Sequence, residues 1–349
     1  GLDKIIGDLS ENGIAGSLDQ FFSSWRELTA SPDEAGARLA VLKASEDLAG
    51  SVQQAALELE DTQHDTNEEI VLRVGRVNEL LDEVRLFNRQ IVEIESSGQT
   101  AMDMRDQRDI VVQELSDLIG AESYEDDNGY MTVQIAGGLI VAQQDTARHI
   151  QVTFDSEPNS PTSGMHNLSL EGASQVPLDQ RLRDGKIGGL LQIRDEDIPG
   201  FTEKLDDFAV TFVNEINAQH YQNYGLDDTS GRVLFAQVVD DTDPGNPVFS
   251  DIFGAKSMSI NSDLDSDGIG ASDTVNGGSG NNQGAKSILQ LENAAAMDTK
   301  TFAQGLNAFY VDLGHNTRVA ADHMNRSSDR LEFLNVLSQE NSGVSIEEE

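Results

Sequence analysis

Ile70-Val71-Leu72-Arg73-Val74-Gly75-Arg76-Val77-Asn78-Glu79-Leu80-Leu81-Asp82-Glu83-Val84-Arg85-Leu86-Phe87-Asn88-Arg89-Gln90-Ile91 is the stretch on which the fold of this chain turns. Ile70, Val74, Val77, Leu81 and Val84 follow one another at alternating spacings of four and three, and Asn88 and Ile91 continue the series. That is a heptad seam on one helix, and a strict seven-residue repeat implies slight left-handed supercoiling. Leu80, Phe87 and Ile94 add a flanking row. Asn88 falls on the seam itself, where a buried polar group fixes register. Working outward, no proline interrupts the chain from Asp33 to Glu95, so one helix can fill that span. Ser31-Pro32-Asp33-Glu34 reads as its start, with Ser31 as N-cap, Pro32 in the first turn and Glu34 three residues after the cap. An earlier helix carries Phe21, Phe22, Trp25 and Leu28. A later one, after the break at Ser96-Ser97-Gly98-Gln99, runs from near Thr100 through Ile110, Val111, Leu115, Leu118 and Ile119 to Gly120, the position of a C-terminal cap.

Beyond Gly120 the period falls to two. Asp126-Asp127-Asn128-Gly129 is a hairpin turn before the alternating Tyr130–Ile135, and short strands follow at Leu139–Val141, Ile150–Phe154 and His166–Leu170. Pro199 marks a helix start leading through Phe201, Leu205, Phe208, Phe212, Val213 and Ile216. Residues 221–283 are rich in turns, with strand-like pieces at Val233–Phe235 and Met258–Ile260, and helix resumes near Ala285 and extends to about Gln339. The pattern predicts an α+β chain. Residues 1–119 and 284–349 form an elongated helical bundle or rod domain, the helix near 198–220 packs on it, and 120–184 is a small inserted β-rich domain. The heptad is expected to find its partner in the 285–339 segment.

Composition narrows the chemistry. In 349 residues there are 23 Lys and Arg against 62 Asp and Glu, a net charge of −39. Such a field repels phosphate backbones and anionic lipid, so neither nucleic acid nor membrane is an expected partner. The absence of Cys removes disulfides and thiolate chemistry. Aromatics at 5% are thin for a large α/β enzyme core but suffice for helix bundles. No His-Glu-x-x-His pair and no Gly-x-Ser-x-Gly elbow occurs. The 278–287 stretch has Ala285 where a phosphate loop requires Gly before its Lys. Asp263, Asp265, Asp267 and Gly268 fill positions 1, 3, 5 and 6 of a calcium loop, but Thr274 stands where the bidentate Glu belongs, so a polar turn is expected there. No catalytic residue, cofactor or metal is expected. Arg105, Asp106, Arg108 and Asp109 alternate charge on the third helix; Arg105 and Asp109 stand at i, i+4, and the group reads either as a solvated face or as a buried network that positions the helix hairpin.

Four segments, taken together and in order, resemble the flagellar hook-associated protein 1 (FlgK) family. They are Leu18-Asp19-Gln20-Phe21-Phe22-Ser23-Ser24; Met104-Arg105-Asp106-Gln107-Arg108-Asp109 running on to Gly120; Gly185-Lys186-Ile187-Gly188-Gly189-Leu190-Leu191 with Val213-Asn214-Glu215-Ile216-Asn217-Ala218-Gln219-His220; and Ser342-Gly343-Val344-Ser345. The resemblance implies a structural adaptor between flagellar hook and filament. It implies export by the flagellar type III apparatus without a cleaved signal, and a final place outside the cell. The implied partners are the hook protein, the second junction protein, copies of the chain itself, and an export chaperone acting through a C-terminal segment. The family's two terminal segments are expected to lie outside this sequence, which reads as the folded core. The competing readings are the second junction protein, flagellin, or an adhesive β domain on a helical stalk.

Overall fold

The computed structural model describes residues 13–157, 162–240, 248–250, 252 and 254–315. They fall into two compact units. Residues 63–199 make one; residues up to 62 together with 200–315 make the other. The division cuts through the longest helix, where the sequence pattern placed all of 1–119 with 284–349.

In the unit formed by the chain's first and last described parts, α1 (Ile14–Ala30) buries Ile14, Leu18, Phe21, Phe22, Trp25 and Leu28. Ser31 is the C-cap of α1 rather than the N-cap of the next helix: its N–H bonds to Glu27 O. Pro32 disfavours the helical conformation at Ser31, so the chain turns and α2 (Ala35–Ser96) begins three residues later than expected. The early part of α2 turns Val41, Ala44, Leu48, Val52, Ala55 and Leu59 inward. The few aromatics are concentrated here. Phe212 has ring contacts with Phe21 at 5.2 Å, Phe302 at 5.0 Å and Phe235 at 5.7 Å between centroids. The C-terminal helix is not continuous from Ala285. It is split into α6 (Gln283–Gln290), a 3-10 turn (Leu291–Asn293) and α7 (302–315), and Asp298 and Thr299 between them have positive φ. The 316–339 part of that expectation, like Ser342–Ser345, lies outside the described residues.

In the unit of residues 63–199, the later part of α2 is joined to α3 (Met102–Ile119) and to two small antiparallel sheets. The first is a meander of β1 (Glu122–Glu125), β2 (Met131–Ile135), β3 (Leu139–Gln143) and β4 (Thr146–Ala147). The second is β5 (Ile150–Phe154), β6 (His166–Leu170) and β7 (Ala173–Pro177). The hairpin before β2 forms as read, with Asp126 Oδ1 accepting from Asn128 and Tyr130 N–H and Gly129 at positive φ. Every apolar heptad position from Ile70 to Ile91 is buried. The seam is covered, however, not by the 285–315 segment but by α3 (Val111, Leu115) and the strands, through Val133, Val141, Leu168 and Leu170. A seam needs an apolar partner, and the inward side of a two-residue-period strand supplies one as well as a helix does. Gly120 caps α3 in the left-handed conformation and meets Gly185: a Cβ on Gly185 would stand 2.6 Å from Gly120 N, and one on Gly120 2.4 Å from Asp184 Cβ. The chain thereby closes the β insertion and enters α4 (Gly185–Gln192), which passes without a break through a π turn (Ile193–Asp197) into α5 (Ile198–Gln222). Pro199 sits in the first turn of α5.

Val233–Phe235 and Met258–Ile260 do not form a ladder. A single bridge joins Phe235 to Ile260, because Leu234 and Phe235 N–H are both taken by Asn217 Oδ1. Two short strands instead pair nearby, β8 (Val239–Asp240) with β9 (Val248–Phe249).

Candidate functional site

Asn88 is wholly buried and fully bonded. Its Nδ2 donates to Met131 O at 2.8 Å and Gln144 O at 3.1 Å, and its Oδ1 accepts from Met131 N at 2.9 Å and Arg108 Nη1 at 3.0 Å. The amide thus pairs with the first residue of β2 as a neighbouring strand would. Arg108, also buried, donates further to Gly129 O at 2.8 Å and to Glu125. Arg105 grips Glu95 with Nε and Nη2, both at 2.8 Å, and Glu125 with Nη1 at 2.6 Å. Those bonds hold the Glu95 carboxyl down at about 2. The anticipated Arg105–Asp109 pair does not form, since the guanidinium is turned to Glu95 and Glu125; Asp106 and Asp109 lie on the exposed side of α3. Of the four charged positions, the two arginines therefore tie α2, α3 and the β1–β2 hairpin together.

The same device recurs along α2. Asn78 Nδ2 donates to Ile150 O at 2.9 Å and Asn78 Oδ1 accepts Ile150 N–H at 2.8 Å, at the first residue of β5. Asn67 Oδ1 accepts His166 N–H at 2.8 Å, at the first residue of β6, and Asn67 Nδ2 meets His166 Nδ1 at 2.8 Å. Because Nδ2 can only donate, Nδ1 is the acceptor and His166 carries its proton on Nε2. Arg194, fully buried in the π turn, donates to Asn67 Oδ1 at 3.0 Å, His166 O at 2.7 Å and Asp195, and Gln63 Nε2 bonds the Arg194 carbonyl at 2.8 Å. Burial pushes the nearby Asp179 carboxyl upward. Sequence reasoning missed Asn67, although it lies on the heptad seam three repeats before Asn88.

In the other unit, Asn217 and His220 sit one turn apart on α5. Asn217 Nδ2 donates to Phe235 O at 3.0 Å, opposite the two N–H groups its Oδ1 accepts. His220 Nδ1 donates to Arg232 O at 2.8 Å and Nε2 accepts Gly270 N–H at 3.0 Å, so the ring is neutral, and burial lowers its pKa to about 4. The calcium-like loop is organised by protein groups. Arg38 Nη1 bonds Ile269 O at 2.8 Å, the carbonyl at position 7 of such a loop, and Asp265 Oδ1 accepts Gly268 N–H at 2.9 Å. Among the described residues, Asp263, Asp265 and Asp267 do not converge, and no group of three His, Asp or Glu could hold a metal ion. No helix among them is long and apolar enough to cross a membrane.

Buried amides and guanidiniums spanning helix and strand are structural joints. The comparisons with known proteins lie in the same direction. The family model described as "Flagellar hook-associated protein FlgK helical domain" matches residues 1–235. Flagellar hook-associated protein 1 of Salmonella typhimurium is 28% identical over 237 residues, which is 67% of this chain and 42% of that protein. Its namesake in Bacillus subtilis is 20% identical over an alignment that takes in 100% of this chain and 72% of the relative. The chain thus spans less than half the length of the Salmonella relative. The solved structure of the flagellar hook junction protein FlgK from Burkholderia pseudomallei superposes with a TM-score of 0.76 over 99% of this chain and 97% of that one, at 14% identity, which is a likeness of fold. With a helical-domain model matched across two thirds of its length, the chain belongs to the FlgK family of flagellar hook-associated proteins.

Proposed function

We propose that this chain is the folded body of an axial subunit at the hook–filament junction of the bacterial flagellum, acting by packing and not by catalysis. The observation that carries the reading is the match of the FlgK helical-domain model over residues 1–235, most of which is helix bound into its unit by buried polar joints. Its partners on this reading are the hook protein on one side, the second junction protein on the other, and its own copies beside it. The protein reaches that place outside the cell through the flagellar type III export apparatus, with an export chaperone as a further partner. The contacts belong to helical faces. Helices offer long surfaces of fixed register, whereas the edge strand β1 is exposed throughout and acidic at both ends, a pattern that discourages strand pairing.

Deleting the β insertion cannot test this, because it would uncover the heptad seam. Charge reversal on intact surfaces can. Glu79→Lys with Glu83→Lys alters the exposed side of α2; Glu122→Lys with Asp127→Lys alters β1 and its neighbouring hairpin and leaves Glu125, the anchor of Arg105 and Arg108, in place. In a strain lacking the protein, the first variant is expected to shed flagellin into the medium and the second to swim, both with the parental circular-dichroism spectrum. The opposite pattern would move the contacts to the β unit.

A further inference from the structure

Arg38 is 2% exposed, yet no carboxylate pairs with it. Its Nε donates to Pro32 O at 2.7 Å and its Nη1 to Ile269 O at 2.8 Å, with a longer bond to Ser266 O at 3.2 Å. Nη2 meets no acceptor among the described residues. Arg38 also lines a half-open cavity of about 250 Å³, whose other walls include Tyr224, Asp228 and the glycine-rich turn at Gly277-Gly278-Ser279. The walls are set before any ligand arrives. Tyr224 and Ser272 exchange backbone hydrogen bonds, Asp228 Oδ1 accepts Asn276 N–H at 2.8 Å, and Gly278 holds positive φ.

We propose that this cavity is a binding site for a small carboxylate, held by the free edge of the Arg38 guanidinium and by the Gly278 and Ser279 amides, the Gly277 amide being taken by Thr274 O. A buried guanidinium with one nitrogen unbonded favours an anionic oxygen, and a rigid cavity costs little ordering to fill. The charge of the surroundings selects the class. Asp228 lines the wall, and the carboxylates of Asp33, Asp227 and Asp267 lie within electrostatic reach of Arg38 without bonding it, so each negative charge on a ligand weakens its binding and a singly charged carboxylate is favoured over a phosphate dianion. The site lies wholly in the unit that contains α1 and goes beyond the packing role proposed above.

The test is a titration of the ¹⁵N-labelled chain with sodium formate, against sodium chloride at equal ionic strength. Formate should shift the Gly278 and Ser279 amides and the Arg38 Nε–H signal along one saturable curve, and chloride should not. Ser279→Glu places a carboxylate in the cavity from its own wall, and its formate-dependent shifts should vanish while the rest of the spectrum is retained. Shifts that are absent, that grow linearly without saturation, that chloride reproduces, or that persist in Ser279→Glu would overturn the proposal.

Discussion

Asn88→Ala removes four hydrogen bonds at once and leaves the peptide of Met131 and part of Arg108 buried without partners. The loss should be about 2–4 kcal/mol in urea unfolding, similar to truncating a packed leucine such as Leu81. A loss under about 1 kcal/mol would mean that water replaces the amide and that it is no joint. His220 gives a different signature. Its folded pKa of about 4 lies below the ordinary histidine value of 6.5, so the unfolded chain binds the proton more tightly. The stability this ring contributes is complete above pH 6.5 and is lost as pH falls toward 4, by about 3 kcal/mol in all. His220→Asn should be weaker at pH 7.5 and lose less between pH 7 and pH 5 than the parent. Equal slopes for the two proteins over that window would exclude the histidine as the cause.

At the scale of elements, two glycines on neighbouring helices predict opposite outcomes. Gly75 lies on the exposed side of α2, with nothing within 4 Å of an added Cβ, so Gly75→Ala should raise stability by about 0.5–1 kcal/mol. Gly120→Ala should lower it by at least about 2 kcal/mol, since the left-handed cap and the contact with Asp184 both refuse a methyl group. Thermal melts of the two variants should move to opposite sides of the parent. Gly120 was readable from the sequence because a cap is local chemistry, and so were the heptad and the Asp126–Gly129 turn. The covering of the seam was not, because periodicity states that a face is buried and is silent on what buries it. The break at 291–301 escaped for a related reason: neither glycine nor proline marks it, and positive φ at Asp298 and Thr299 has no strong local signature. Among the joints, Asn88 was visible as the polar residue in an apolar series. Asn78 stands off that series, and its partner is 72 residues away.

For the molecule as a whole, the charge of −39 acts on every fold-stabilising contact at once. Like charges crowded on folding repel one another, and added salt screens that repulsion over a Debye length that falls from about 30 Å at 0.01 M to about 3 Å at 1 M. The urea midpoint should therefore rise steadily with sodium chloride over that range. A flat or falling dependence would show that local ion pairs such as Arg105 with Glu95, which salt weakens, outweigh the net field. The same repulsion should keep dilute copies of this chain apart, with one monomer mass by light scattering at low salt.

The three asparagines on α2 also set a sequence in time. Asn88 reaches 43 residues ahead to Met131, Asn78 reaches 72 to Ile150, and Asn67 reaches 99 to His166. The shortest loop is the least costly to close, and each closure shortens the next one. Folding of this unit should then run as a zipper from the Asn88 end toward Asn67, with the helix as its fixed rail. A chain emerging unfolded could thus assemble its sheets in order, and misregister would be checked at the first strand before the last has docked.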